Sequence, residues 1–292
     1  MINPIAALSP LDGRYAKSVE ALRPVFSEYG LMRARVRVEL SWLKALAAEP
    51  KIVEVPPFDE AVLAEIDDVI AGFSLDDAAA VKAIEATTNH DVKAIEYWLK
   101  ERFAGVPAVS AVSEFIHFAC TSEDINNLSY ALTIRGAVEQ VWLPAARGLV
   151  EDLAAMAHEY ADAAMLARTH GQPATPTTLG KELAVLAHRL RRQVRRVEAS
   201  EYLGKINGAT GTFGAHVVSV PGADWQAVGR GFVEHLGLTW NPLTTQIESH
   251  DWQAELYSDV ARFNRIAHNL ATDVWTYISL GYFRQRLSAQ GS

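Results

Sequence analysis

Apolar residues return every three or four positions along three long tracts of this chain. From 136 to 163 the series is Val138, Val141, Trp142, Ala145, Leu149, Leu153, Met156 and Tyr160. From 179 to 203 it is Leu179, Leu183, Leu186, Leu190, Val194 and Val197. Such steps mark one face of an α-helix, and the second tract stays close to a heptad, which suits bundle packing. From 251 to 287 the series runs Trp252, Leu256, Val260, Phe263, Ala267, Leu270, Val274 and Ile278. A helix of about 35 residues would be about 50 Å long, and helices of that length belong to bundles or oligomers. Before about residue 111 the periodic runs are shorter, broken by SPLDGRY, AEPKIVEVPPFD and FAGVPAVS. Strand signals are few, and VVSVPG at 217 to 222 is the best of them. The pattern predicts a mainly α protein, with a mixed-helix N-terminal domain over 1–111 and a long-helix bundle over 112–292.

Five polar or glycine-rich stretches interrupt this pattern, and segments held by rigid helices are where function concentrates. LDGRY presents Arg14 and Tyr15 beside an Asp-Gly turn. ATTNHDVKAIEYWLK places His90 at a helix start, where Asn89 or Asp91 is the expected cap and free backbone N–H groups meet anions. CTSEDINNLSYAL offers a capping box from Thr121 and Asp124, with Asp in place of the usual Glu or Gln. That leaves the Ser122 hydroxyl free to join Thr121 in binding a carboxylate. MLARTHGQPATPTTLGKE surrounds His170 with Thr169, Gln172, Thr175, Thr177 and Thr178, two prolines and two glycines. An imidazole, with an ordinary pKa of about 6.5, suits general acid or base work. The fifth is a pair, GKINGATGTFGAH and NPLTTQIESHD. Its glycines fit close backbone approach better than a phosphate cradle, and Gln246 is a candidate amide ligand.

Composition narrows the classes. The 292 residues are 49% hydrophobic, enough for a sizeable core, and carry a net charge of −8, which argues against general nucleic-acid binding. RLRRQVRR, 189 to 196, reads as a charged helix stripe. With one cysteine, Cys120, no intrachain disulfide can form, and a reducing compartment is expected. Cys120 reads as a small core residue. The N-terminus lacks the basic region of a signal peptide, and no apolar run reaches membrane-spanning length. The expectation is a cytoplasmic protein with no membrane and no nucleic-acid partner. No H-E-x-x-H, paired-Cys, G-x-S-x-G or post-strand G-x-G-x-x-G pattern occurs, so no metal and no dinucleotide are expected.

Taken together, RTHGQPATPTTLGKE, CTSEDINN, TTNHDVKAIEYWL, SPLDGRY, GKINGATGTFGAH and NPLTTQIESHD resemble the fumarase/aspartase superfamily, specifically its bacterial purine-pathway branch. The resemblance runs from about residue 8 to the end. It implies β-elimination without a cofactor: adenylosuccinate splits into AMP and fumarate, and the succinylo-carboxamide ribotide into its carboxamide and fumarate. It assigns His170 as general acid and Thr121 with Ser122 as holders of the succinyl carboxylates. His90, with Asn89 and Asp91, becomes the second histidine segment, His90 as a catalytic as well as a substrate-binding residue. Arg14, Tyr15 and Gln246 become ligands of the nucleotide substrate, Arg14 near the phosphate. It implies a homotetramer with sites shared between subunits. A third signature loop of the form S-S-x-M-P-x-K-x-N-P, bearing the base serine and a lysine, is expected after the long helix. The chain stops at RLSAQGS, with Ser292 either the first serine of that loop or merely an end, so a truncated bundle without its C-terminal domain is expected. Two other readings remain: another fumarate-releasing lyase such as argininosuccinate lyase, against which TTNHDVKA and TTQIESHD argue, and a non-catalytic helical oligomerisation module.

Overall fold

The computed structural model describes residues 4–286; Ser292 lies outside them. In chain order the helices are α1 (Arg23–Phe26), α2 (Glu28–Ala48), α3 (Glu60–Gly72), α4 (Leu75–Thr88), α5 (Asp91–Arg102), α6 (Pro107–Ser110) and α7 (Ser122–Ala137). A π-helical turn, Val138–Trp142, leads into α8 (Leu143–Glu159). Strands β1 (Ala164–Thr169) and β2 (Gln172–Thr178) follow, then α9 (Leu179–Glu198), β3 (Leu203–Gly204), α10 (Gly214–Ser219), α11 (Trp225–His235), β4 (Thr239–Trp240) and α12 (Asp251–Ser279). The protein is mainly helical, as the periodicity predicts.

The described residues divide into two compact bodies. One holds those up to Val141 together with Glu201–His250; the other holds Trp142–Ser200 and those from Asp251 onward. The expected boundary near residue 111 falls inside the first body. FAGVPAVS is only a turn there: Pro107 opens α6, and Val109 is fully buried in the same core.

In the first body α2 is buried over most of its surface, with Val36, Val38, Leu40, Trp42, Leu43 and Leu46 fully buried and Arg35 and Glu39 taken inside with them, the signature of a central helix. Alongside it runs α7. The segment after residue 200 packs on this core through β3 against α7 and α11 against α2, and closes on itself by the short parallel pair of β3 with β4. VVSVPG is not a strand. Val217 and Val218 belong to α10 and are exposed, so no sheet edge was available to satisfy their β propensity.

In the second body the predicted face of α9 is observed: Leu183, Leu186, Leu190, Val194 and Val197 are buried. The face of α8 is displaced. It buries Leu143, Ala146, Val150 and Leu153, whereas Ala145 is exposed. Pro144 has no N–H to return to the preceding turn, and the π turn there adds about one residue to the helical count, shifting the phase of all that follows. Gly180 lets α9 lie against α8, because a Cβ would collide with the Ala157 carbonyl. The third tract ends earlier than its pattern suggests. Gly281, at φ 78°, stops α12 with its N–H on the Ile278 carbonyl and the Tyr282 N–H on the Tyr277 carbonyl, the paired bonds of a Schellman motif. The arginines of the 189–196 stripe are exposed, with Arg196 reaching Asp259 of α12 at 2.7 Å.

Candidate active site

The N-terminus of α7 is the most tightly organised polar region in the first body. Thr121 is the cap, and its N–H donates to Asp124 Oδ2 at 2.8 Å, so Asp does serve as the third-position partner. The return half of the box is looser, since the Asp124 N–H goes to the Thr121 carbonyl at 2.9 Å. Asp124 is fully buried and has further donors: Lys205 Nζ at 2.8 Å and Asn207 N at 3.0 Å on Oδ1, and Gly208 N at 3.1 Å on Oδ2. Asn127, one helical turn on, accepts the Lys205 N–H at 2.9 Å and donates to the Lys205 carbonyl at 3.0 Å. The GKINGATG segment is thereby fastened to the first turn of α7.

Two glycines in that segment do different work. Gly208 takes φ 83°, which frees its N–H for Asp124. Gly211, at φ 73°, lies so close to the Thr244 and Thr245 carbonyls that no side chain would fit. The glycines serve close backbone approach, as their spacing suggests. What they approach is the TTQ segment, where Asn207 Nδ2 donates to Thr244 Oγ1 at 2.7 Å and Gln246 Nε2 reaches Thr121 Oγ1 at 3.2 Å. Further on, His250 Nε2 lies 3.0 Å from Glu123 Oε1, and its N–H donates to the buried Glu248 at 2.7 Å. Thr121, Ser122 and Gln246 therefore meet at one helix end. The Ser122 hydroxyl has no hydrogen-bond partner among the described residues.

At the start of α5 the cap is neither Asn89 nor Asp91, as expected, but His90, whose Nδ1 accepts the Lys93 N–H at 3.1 Å. An accepting nitrogen carries no proton, so the ring turns Nε2–H outward. Asn89 instead closes α4 in the left-handed conformation, φ 52°, which asparagine tolerates. Asp91 is taken by Arg35 at 2.7 Å. Burial alone would raise its carboxyl pKa, but the Arg35 charge and the Val92 N–H outweigh that and hold it below the usual range. Arg35 also donates to Asn126 of α7 at 2.9 Å, so the two helix starts share one guanidinium.

Arg14 and Tyr15 lie in an exposed turn, the Arg14 guanidinium 5.8 Å from the Tyr15 ring centre. Among the described residues neither makes a hydrogen bond to the starts of α5 or α7.

His170 belongs to the second body. The stretch around it is not an irregular loop but an antiparallel hairpin, β1 with β2, with Thr169 paired to Gln172. The turn is His170–Gly171, with φ of 51° and 75°, two positive values as in a type I′ turn. Prolines are tolerated because a two-stranded ribbon consists only of edges. Thr178 ends β2 and caps α9, accepting the Lys181 N–H at 3.1 Å. The backbone alone sets the imidazole's direction, and it is exposed at the tip.

Several groups escaped the sequence reading. His117, at φ 64°, sits 2.7 Å from the buried Glu39. Burial alone would lower its pKa, yet the Glu39 hydrogen bond and charge raise it. His216 is fully buried among Trp42, Phe118, Phe213 and Trp225, with both ring nitrogens unpartnered, and burial lowers its pKa to about 4. Nothing in the pattern singles out Lys205, since lysines usually sit at the surface; its place within a glycine-rich segment is the available signal. Cys120 is half-buried beside the α7 cap and is not in the core as expected; its thiol is pushed well above its usual pKa by burial, which suits an inert thiol. Among the described residues no cluster of His, Cys, Asp and Glu is arranged for a metal, and no helix is long and apolar enough to cross a membrane.

Adenylosuccinate lyase of Escherichia coli (strain K12) is 53% identical over 288 residues, covering 99% of this chain and 63% of the relative. That of Haemophilus influenzae is 50% identical over 288 residues, with the same coverage. The chain thus spans 63% of the length of these relatives. Among solved structures, the crystal structure of fumarate lyase from Mesorhizobium sp. BNC1 matches with a TM-score of 0.71 at 22% identity, covering 89% of this chain and 57% of that one. The 3-carboxy-cis,cis-muconate lactonizing enzyme from Pseudomonas putida matches at 0.65 and 23%, covering 83% and 52%; at such identities the likeness concerns the fold. A family model described as "Lyase" matches residues 13–292, and the chain belongs to that lyase family, within the fumarase/aspartase superfamily.

Proposed function

We propose that this chain carries the acid and the carboxylate-holding groups of an adenylosuccinate lyase of purine biosynthesis. The reaction would split adenylosuccinate into AMP and fumarate, and the succinylo-carboxamide ribotide into its carboxamide and fumarate. The relatives at 50–53% identity over 99% of the chain support this. The single observation that carries it is the meeting of Thr121, Ser122 and Gln246 at the positive end of the 16-residue α7, with one hydroxyl unengaged.

The chemistry asked of the residues is a β-elimination. A base takes the proton from the carbon next to a succinyl carboxylate, and the negative charge spreads into that carboxylate. The new C=C bond forms as the C–N bond breaks, and the departing nitrogen takes a proton from His170. Thr121, Ser122 and the helix end would hold the carboxylate as its charge grows, the largest catalytic term in such reactions. Gln246, Asn89, His90, Asp91, Arg14 and Tyr15 are assigned to substrate, with Arg14 toward the phosphate. His90 is a weaker candidate for acid–base work than for binding, since its Nδ1 is already committed to the Lys93 N–H. The base implied by the resemblance is the serine of the third signature loop. Residues 1–292 alone are therefore proposed to bind nucleotide without turning over. A cytoplasmic homotetramer with shared sites is part of this reading, supported by Trp275 standing 74% exposed on a helix otherwise suited to packing.

The test follows ultraviolet absorbance on adenylosuccinate, with argininosuccinate as control, for the protein expressed from its complete gene and for residues 1–292. Cleavage of adenylosuccinate alone, by the complete protein alone, supports the reading. No cleavage by the complete protein overturns it, and activity of 1–292 by itself would move the base into this chain.

A further inference from the structure

Among the described ion pairs, Asp124–Lys205 alone has both side chains fully buried, each 0% exposed, at 2.8 Å. A negative charge here conflicts with the use proposed for the helix end above it. Asp124 accepts the Thr121 N–H at 2.8 Å, so its charge lies one hydrogen bond from the backbone of a residue whose hydroxyl is assigned to a dicarboxylate. The capping box does not require that charge, since a neutral Gln serves at its third position as well as Glu. Stability does not require the pair either, because buried ion pairs are often replaced by apolar side chains without loss. Yet the lysine is held with care. Its ammonium is on Asp124 Oδ1, and its own N–H and carbonyl are both taken by Asn127. Asp124 in turn fixes the Thr121, Asn207 and Gly208 N–H groups in one arrangement.

We propose that Lys205 is a positioning and charge-compensating residue. Its ammonium cancels the Asp124 charge, so that this carboxylate can lock the cap of α7 to the glycine-rich segment without repelling a substrate dicarboxylate from Thr121 and Ser122. The inference rests on the reading of that helix end as the carboxylate site. Lys205 acts through Asp124 and does not itself touch substrate.

The experiment measures affinity for fumarate and for AMP by calorimetry at neutral pH and low salt, using the protein from its complete gene. Four forms are compared: unmodified, Lys205→Met, Asp124→Asn, and the double variant, each checked for folding by circular dichroism. Lys205→Met is expected to weaken fumarate about tenfold or more while AMP stays within about twofold. Asp124→Asn is expected to hold or tighten fumarate, and the double variant to return within about threefold of the unmodified protein. This pattern of signs belongs to charge; damaged packing would weaken both ligands in every variant. Unchanged fumarate affinity in folded Lys205→Met overturns the proposal. Where Lys205→Met does not fold, the folded double variant decides, and a loss of more than about tenfold there overturns it. An unmodified protein that binds AMP but not fumarate overturns instead the reading of the helix end.

Discussion

Around Thr121, four donors converge on one buried carboxylate, whereas His170 stands at the tip of a ribbon, aimed by two backbone dihedrals. Both are polar interruptions between apolar helices, and both are assigned to the same reaction. The first is built as an interior, with its buried carboxylate, ammonium and backbone N–H groups holding one another in place. The second is built as a surface, where a side chain can be exchanged without disturbing a core. Groups that must hold a developing charge gain from rigid, desolvated support. A group that must deliver a proton needs placement and access.

Asp124→Ala should break this contrast most severely. It leaves Lys205 charged, buried and alone, and strips partners from the Thr121, Asn207 and Gly208 N–H groups. A loss on the order of 3–5 kcal/mol is expected in urea unfolding. A midpoint unchanged from the unmodified protein would show that the hub does not hold the region together.

The interior of the first body should also reveal itself through pH. His216, with its pKa lowered to about 4 by burial, binds no proton between there and the ordinary value of about 6.5, while the unfolded chain does. Stability is therefore full above about 6.5 and falls as pH drops toward 4, by on the order of 3 kcal/mol. His117 has the opposite sign. Its pKa is raised, so its contribution is present below about 6.5 and is lost as pH rises through the folded value. Unfolding curves across this range should lose their acid slope in His216→Phe and their alkaline loss in His117→Gln. Retention of both slopes would refute the assignment.

On the ribbon, His170→Asn should lower kcat of the complete enzyme by about 10²-fold, the usual range for a lost general acid. Its unfolding midpoint should move by no more than about 0.5 kcal/mol. Equal losses of activity and stability would erase the distinction between the two regions. The smallest effect is expected at Gly171→Ala. The added Cβ meets nothing within 4 Å but must adopt φ 75°, costing about 1 kcal/mol and tilting His170. Stopped-flow assays should then show reduced kcat with binding of AMP intact.

Legibility followed the same division. The long helices announce themselves because burial on one face imposes a period, and the α7 box was readable because Thr121 and Asp124 are local in sequence. The α8 face was misplaced because a period cannot register a π turn. The hairpin carries no strand pattern because Pro173 and Pro176 remove strand signals, and an exposed ribbon need not alternate. His90 as a cap went unseen because imidazole is rarely used so. Lys205 and Glu39 were hidden because their roles depend on partners 81 and 78 positions away.

The π turn at Val138–Trp142 also works as a clutch at the entry to α8. With it engaged, α8 turns Leu143, Ala146, Val150 and Leu153 inward. Close the turn into ordinary α-helix with the sequence unchanged and every side chain of α8 would rotate by about 100° around the axis. Composition and helix propensity would be untouched, yet Ala145 and Leu149 would be brought round in place of the present face. Deleting one codon there would close the turn and keep the present face inward, while the same deletion inside α8 would act like a many-site mutation on everything after it.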